Sequence, residues 1–159
     1  MGADLYIESV FKPSFDTWSP KFEEAVVNRD RATTTEEKGK WQKKVTQYYE
    51  KAYSKGYFRD SYNITNVLNT FGLSWWQDVI PLTDDEGYLQ PQEVNTLLDM
   101  ILSRNQKLPT MEELREGRAK MATKNALVGW HGYYREKGKK LIAFLKLAKK
   151  LNSPIKASL

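Results

Sequence analysis

The sequence predicts an α+β fold, predominantly helical, organised as a single domain over residues 1–159 with a small sheet pairing the two chain ends. Three observations predict it. Ala3, Leu5 and Ile7 alternate with Asp4, Tyr6 and Glu8, the period-2 pattern of a half-buried strand. Ile155, Lys156, Ala157, Ser158 and Leu159 alternate again at the other end. Most of the chain between them repeats its apolar residues at helical spacing. A lone strand leaves its backbone groups unpaired, so the economical arrangement joins the two terminal segments.

Taken in order, residues 2–9 form the first strand. Ser19-Pro20 reads as an N-cap followed by proline at the first helical position, opening a helix to about Arg31. Thr34 and Glu37 have capping-box spacing for a second helix to about Ser54, with Trp41, Val45, Tyr48 and Ala52 on one face. Lys55-Gly56 stops it. Asn63 or Thr65 starts a short helix through Val67, Leu68 and Phe71, ended by Gly72, and Ser74 caps a further turn bearing Trp75 and Trp76. Asp84–Gly87 is a turn. Pro91 opens a helix carrying Val94, Leu97, Leu98 and Ile101, and Thr110 with Glu113 makes another capping box. The last helical region has possible breaks at Gly129, Gly132 and Gly138, and Asn152-Ser153-Pro154 terminates it.

Composition narrows the chemistry. With no cysteine among 159 residues, thiol catalysis, Cys-ligated zinc and iron–sulfur clusters are excluded. No apolar run approaches the ~20 residues of a membrane span, and Asp4 and Glu8 interrupt the only apolar stretch at the N-terminus. The expectation is a cytoplasmic protein without membrane contact. The net charge of +5 is uneven: residues 111–159 hold 12 Lys/Arg against 4 Asp/Glu, whereas residues 1–110 hold 13 against 16.

No phosphate-binding glycine loop or nucleophile elbow occurs, and the single His131 has no metal-ligand partner at fixed spacing. A calcium-like run at Asp84–Glu93 lacks its first ligand, because Leu82 stands there, and Pro91 falls inside it. The carboxylate pairs all sit at turns or helix starts, where negative charge is favourable anyway. The expectation is therefore a protein that is not an enzyme, with no catalytic residue, no metal and no cofactor.

Two groups of residues suit binding. Residues 56–76 gather Tyr57, Phe58, Tyr62, Phe71, Trp75 and Trp76 around the adjacent Arg59 and Asp60. Rings grip flat ligands and a guanidinium binds phosphate or carboxylate, so Tyr57, Arg59, Asp60, Tyr62, Trp75 and Trp76 form a candidate ligand clamp. His131, between Gly129 and Gly132, is a minor addition. The plainer reading makes Arg59-Asp60 a salt bridge or cap and the rings core. The second group is a basic ridge of Arg135, Lys139, Lys146 and Lys150, spaced 4, 7 and 4, with Leu141, Leu145 and Ala148 opposite. A solvated helix face is the plainer reading there.

The strings GADLYIESV, GYFRDSYN and GLSWW, with the closing PIKASL, resemble a family of small bacterial and phage-associated proteins with no assigned activity. The resemblance covers most of the chain. It implies a self-contained domain in a prokaryotic or viral cytoplasm and transfers no catalytic residue.

The sequence thus points to a non-enzymatic binding protein for an anionic small molecule, such as a nucleotide, or for nucleic acid. A phage protein sequestering a host nucleotide signal is one form of this. The alternative is a protein–protein interaction module or inhibitor that caps a host protein with an aromatic patch.

Overall fold

The computed structural model describes residues 2–61, 66–117 and 124–159. The fold is α+β and mostly helical. Its strands are β1 (Gly2–Tyr6), β2 (Tyr57–Ser61), β3 (Tyr88–Leu89) and β4 (Ile155–Ser158); its helices are α1 (Glu8–Arg31), α2 (Thr35–Ala52), α3 (Pro91–Leu102), α4 (Met111–Gly117) and α5 (Lys124–Leu151). Residues gather in two compact units, one made of 1–6 and 58–159, the other of 7–57.

In the first unit the terminal strands pair as expected. β1 runs antiparallel to β4 with Leu5 opposite Ala157, and β4 pairs in turn with β3, Leu89 opposite Ile155, giving the order β2-β1-β4-β3. One side chain in two is sealed: Ala3, Leu5, Leu89 and Ile155 have no accessible surface. These residues join Val94, Leu97 and Ile101 of α3 and Tyr134, Leu141, Leu145 and Ala148 of α5 in the core. The apolar stripe read from the sequence on α3 is the buried one; of the stripe on α5, Leu141, Phe144, Leu145 and Ala148 are buried, Ile142 is half-buried and Leu151 is 46% exposed.

Local chemistry fixes the boundaries. α3 begins with Pro91 at its first position, where the missing N–H costs nothing. Both halves of the Thr110–Glu113 box form: the Thr110 hydroxyl accepts the Glu113 N–H at 3.2 Å, and the Glu113 carboxylate accepts the Thr110 N–H at 2.7 Å. α5 runs through Gly129, Gly132 and Gly138 without a break. It ends with Asn152 in the left-handed conformation (φ 47°), while the N–H groups of Asn152 and Ser153 return to the carbonyls of Lys149 and Ala148.

The second unit is a helical hairpin. α1 corrects the expected start at Pro20: it begins at Glu8 and passes through both Pro13 and Pro20. Phe11, Phe15, Trp18, Phe22 and Ala25 keep unbroken helical spacing across those prolines. Phe11 and Phe15 pack on Tyr53, Trp18 stacks on Tyr48 at 5.8 Å, and Phe22 packs on Tyr49. A proline inside a helix costs about 3 kcal/mol, and this row of ring contacts on α2 offsets it. The Thr34 hydroxyl caps α2 by accepting the Glu37 N–H at 3.2 Å. Gly56 (φ 63°) accepts the Ile7 N–H at 2.8 Å; a Cβ there would stand 2.8 Å from the Phe11 nitrogen, so only glycine fits.

The expected helix through Val67, Leu68 and Phe71 is a single 3-10 turn, Asn69–Phe71, closed by Gly72 in the left-handed region. Its proposed start at Asn63 or Thr65 lies outside the described residues. Among the described residues no helix is long and apolar enough to cross a membrane.

Candidate anion-binding surfaces

The residues around Arg59 separate by strand alternation. On β2, Phe58 and Asp60 point inward and Arg59 outward. Asp60, 4% exposed, accepts the Val67 N–H at 3.0 Å, the Leu68 N–H at 3.3 Å and the Trp75 indole N–H at 2.9 Å. A buried carboxylate requires such donors, and here main chain and indole supply them. The side chain of Arg59 is 57% exposed, with Nε 3.7 Å from a carboxylate oxygen of Asp4 on β1. Asp60 and Trp75 are thus brought together inside the unit, and Arg59 lies at its surface.

The two adjacent indoles divide likewise. Ser74 caps a π-helical turn, Trp75–Val79, in which Trp75 is 1% exposed and Trp76 is 57% exposed. Tyr57 belongs to the hairpin unit, where its ring packs 4.9 Å from Tyr53 and 5.9 Å from Phe11. Tyr62 lies outside the described residues. His131 is half-buried, and its Nε2 stands 2.8 Å from the Pro109 carbonyl. A carbonyl only accepts, so Nε2 carries the proton. Among the described residues no group of three or more acidic or histidine side chains is placed to hold a metal ion.

The basic ridge lies on one face of α5 and is interrupted at its middle by Ala143. Arg135, Lys139, Lys146 and Lys150 fall within about 60° of arc on α5 at 100° per residue, and all four are exposed. Lys139 is paired with Glu136, Nζ to Oε1 at 2.8 Å. Arg135, Lys146 and Lys150 have no ion pair or hydrogen bond among the described residues. The pairing holds the Glu136 carboxyl below the usual glutamate range, first through the hydrogen bond from Lys139 and then through its charge.

Sequence reasoning missed Lys149. It is exposed, also without a partner among the described residues, and its position three residues after Lys146 widens the ridge on one side. The signal was present in the same helical projection. The run Lys149-Lys150 in the last turn also suits the negative end of the helix dipole, which is a structural reason for lysine there.

No protein-family model, curated protein or solved structure matches this chain.

Proposed function

We propose that this protein is a non-enzymatic, cytoplasmic binding protein for anions, and that the preferred anion is an extended nucleic acid strand held along α5. One observation carries the reading: exposed cations without protein partners share one face of a long helix. An unpaired guanidinium or ammonium row lowers its energy by displacing counterions from a polyanion. From Arg135 to Lys150 the ridge extends about 22 Å at 1.5 Å per residue, the length of several phosphates. A row of that length suits a chain of charges better than the compact phosphates of a mononucleotide.

The test is fluorescence anisotropy of labelled single- and double-stranded oligonucleotides between about 50 and 200 mM salt. Affinity should fall steeply with salt. The triple variant Arg135→Gln, Lys146→Gln, Lys150→Gln should flatten the logarithmic slope by about 2 to 3, near 0.7–0.9 for each phosphate no longer neutralised. An affinity indifferent to salt, or unchanged in the triple variant, overturns the reading.

Trp76 favours a second reading, a protein-interaction module. An indole 57% exposed beside a sealed neighbour is the residue type that anchors interfaces. That reading is favoured if a partner is held with little salt dependence and released on Trp76→Ala.

A further inference from the structure

A cavity of about 190 Å³ opens in the unit formed by residues 1–6 and 58–159, away from the ridge residues in sequence. Asn66, Asn69, Thr70, Lys107, Leu108, Pro109 and Glu113 line it. Its volume exceeds the roughly 150 Å³ that holds one benzene and falls below the ~300 Å³ at which drug-sized sites begin. The occupant it suits is a small molecule of a few heavy atoms, and the lining mixes polar and charged side chains with Leu108 and Pro109.

The walls are held in place by bonds that reach far along the chain. The Lys107 N–H donates to the Thr70 carbonyl at 2.6 Å. The Gln106 amide donates to the Thr70 hydroxyl at 3.0 Å and to the Tyr134 carbonyl at 2.8 Å. His131 fixes the Pro109 carbonyl at 2.8 Å. An irregular segment clamped at residues 106, 107 and 109 is preorganised, which lowers the entropic cost of binding.

The two charges on the lining are both available. The Lys107 ammonium has no ion pair or hydrogen bond among the described residues. Glu113 gives one carboxylate oxygen, Oε2, to the Thr110 N–H, and Oε1 has no partner among the described residues. The two side chains share a cavity without neutralising one another. A ligand that carries a carboxylate and an ammonium on one carbon complements that arrangement.

We propose that this cavity is a binding site for a free α-amino acid, its carboxylate on Lys107, its ammonium on Glu113, and its side chain against Leu108, Pro109 and the carboxamides. The site is independent of the α5 ridge.

The experiment titrates the full-length protein with each of the twenty common α-amino acids, followed by amide NMR, with acetate and methylamine as controls. At least one amino acid should bind with a dissociation constant below about 1 mM, shifting the amides of residues 66–70, 106–108 and 110–113. Lys107→Gln and Glu113→Gln should each weaken it at least tenfold. Glutamine preserves the capping box, so retained far-UV dichroism in Glu113→Gln separates impaired binding from impaired folding. The triple ridge variant should bind the amino acid unchanged. The proposal is overturned if no amino acid shifts those amides, if acetate alone binds as tightly, or if both single variants bind like the parent.

Discussion

The Asp60 carboxylate accepts the Trp75 indole N–H at 2.9 Å, joining β2 to the π-helical turn that begins at Trp75. The same carboxylate takes the main-chain N–H groups of Val67 and Leu68. One side chain therefore satisfies three donors in a region that buries Phe58, Val67, Leu68 and Trp75. Asp60→Ala strands those donors in the interior, and should lower stability by about 3 kcal/mol or more. Asp60→Asn keeps one acceptor and should cost about half of that. Arg59→Ala, which loses an exposed ion pair with Asp4, should stay within about 1 kcal/mol. Urea unfolding followed by far-UV dichroism measures all three. Equal losses at positions 59 and 60 would contradict this division of roles.

Asp60 also shows where sequence reading stops. The alternation at β1 was legible because its inward residues, Ala3 and Leu5, are apolar, and β4 was legible through Ile155 and Ala157. Pairing of the two ends followed from the need to satisfy their backbones. β2 alternates in the same way, but one of its two inward residues is Asp60, so hydrophobicity hid the period. The prolines of α1 misled for a related reason. Local propensity favours a break at Pro20, and only the ring contacts with α2, more than twenty positions away, override it. The basic ridge needed helical spacing alone and was visible. The cavity was not, since Asn66 and Glu113 meet only through tertiary structure.

Three glycines of α5 should respond differently to alanine. A Cβ at Gly129 or Gly132 meets nothing within 4 Å, so each substitution should raise stability by up to about 1 kcal/mol through helix propensity. At Gly138 a Cβ would stand 2.8 Å from the Gln106 amide nitrogen. The glutamine then swings away and gives up its bonds to Thr70 and Tyr134. Two hydrogen bonds at about 1 kcal/mol each exceed the propensity gain, so Gly138→Ala should be net destabilising. Thermal unfolding of the three variants decides the sign. A stabilised Gly138→Ala would mean that Gln106 clamps nothing.

Asp84 gives the turn before β3 a pH dependence. The Tyr88 N–H, then the Gln90 side chain, hold its carboxyl below the ordinary aspartate value. A depressed folded-state value contributes stability that is present above the unfolded value, about 3.9, and lost as pH falls through the folded one. The loss therefore belongs below about pH 4. Asp84→Asn keeps an acceptor without the charge, so the parent should be the more stable protein near pH 5 and its advantage should shrink on acidification. Urea midpoints of both proteins from about pH 5 to pH 2 give the comparison. A difference that stays constant across that range removes Asp84 as the cause.

Glu136 is the residue that tests the ridge without deleting a cation from it. Its carboxylate holds the Lys139 ammonium at 2.8 Å, and the hydrogen bond and charge of Lys139 hold that carboxyl below the ordinary glutamate value. A polyanion that engages the ridge must compete with Glu136 for Lys139 and approach a negative charge on the same helix. Glu136→Gln removes both obstacles, and because both side chains are exposed the unfolding midpoint should not move. Oligonucleotide affinity should therefore increase, and the salt slope should steepen by up to about 0.7–0.9, the value of one further neutralised phosphate. Adding lysines elsewhere would raise affinity through net charge alone. Glu116→Gln changes net charge by the same amount on α4 and serves as the control. If Glu116→Gln raises affinity as much as Glu136→Gln does, the attraction is diffuse and the α5 ridge is not the binding face. A larger gain at 136 assigns the binding to Lys139 and its neighbours along α5.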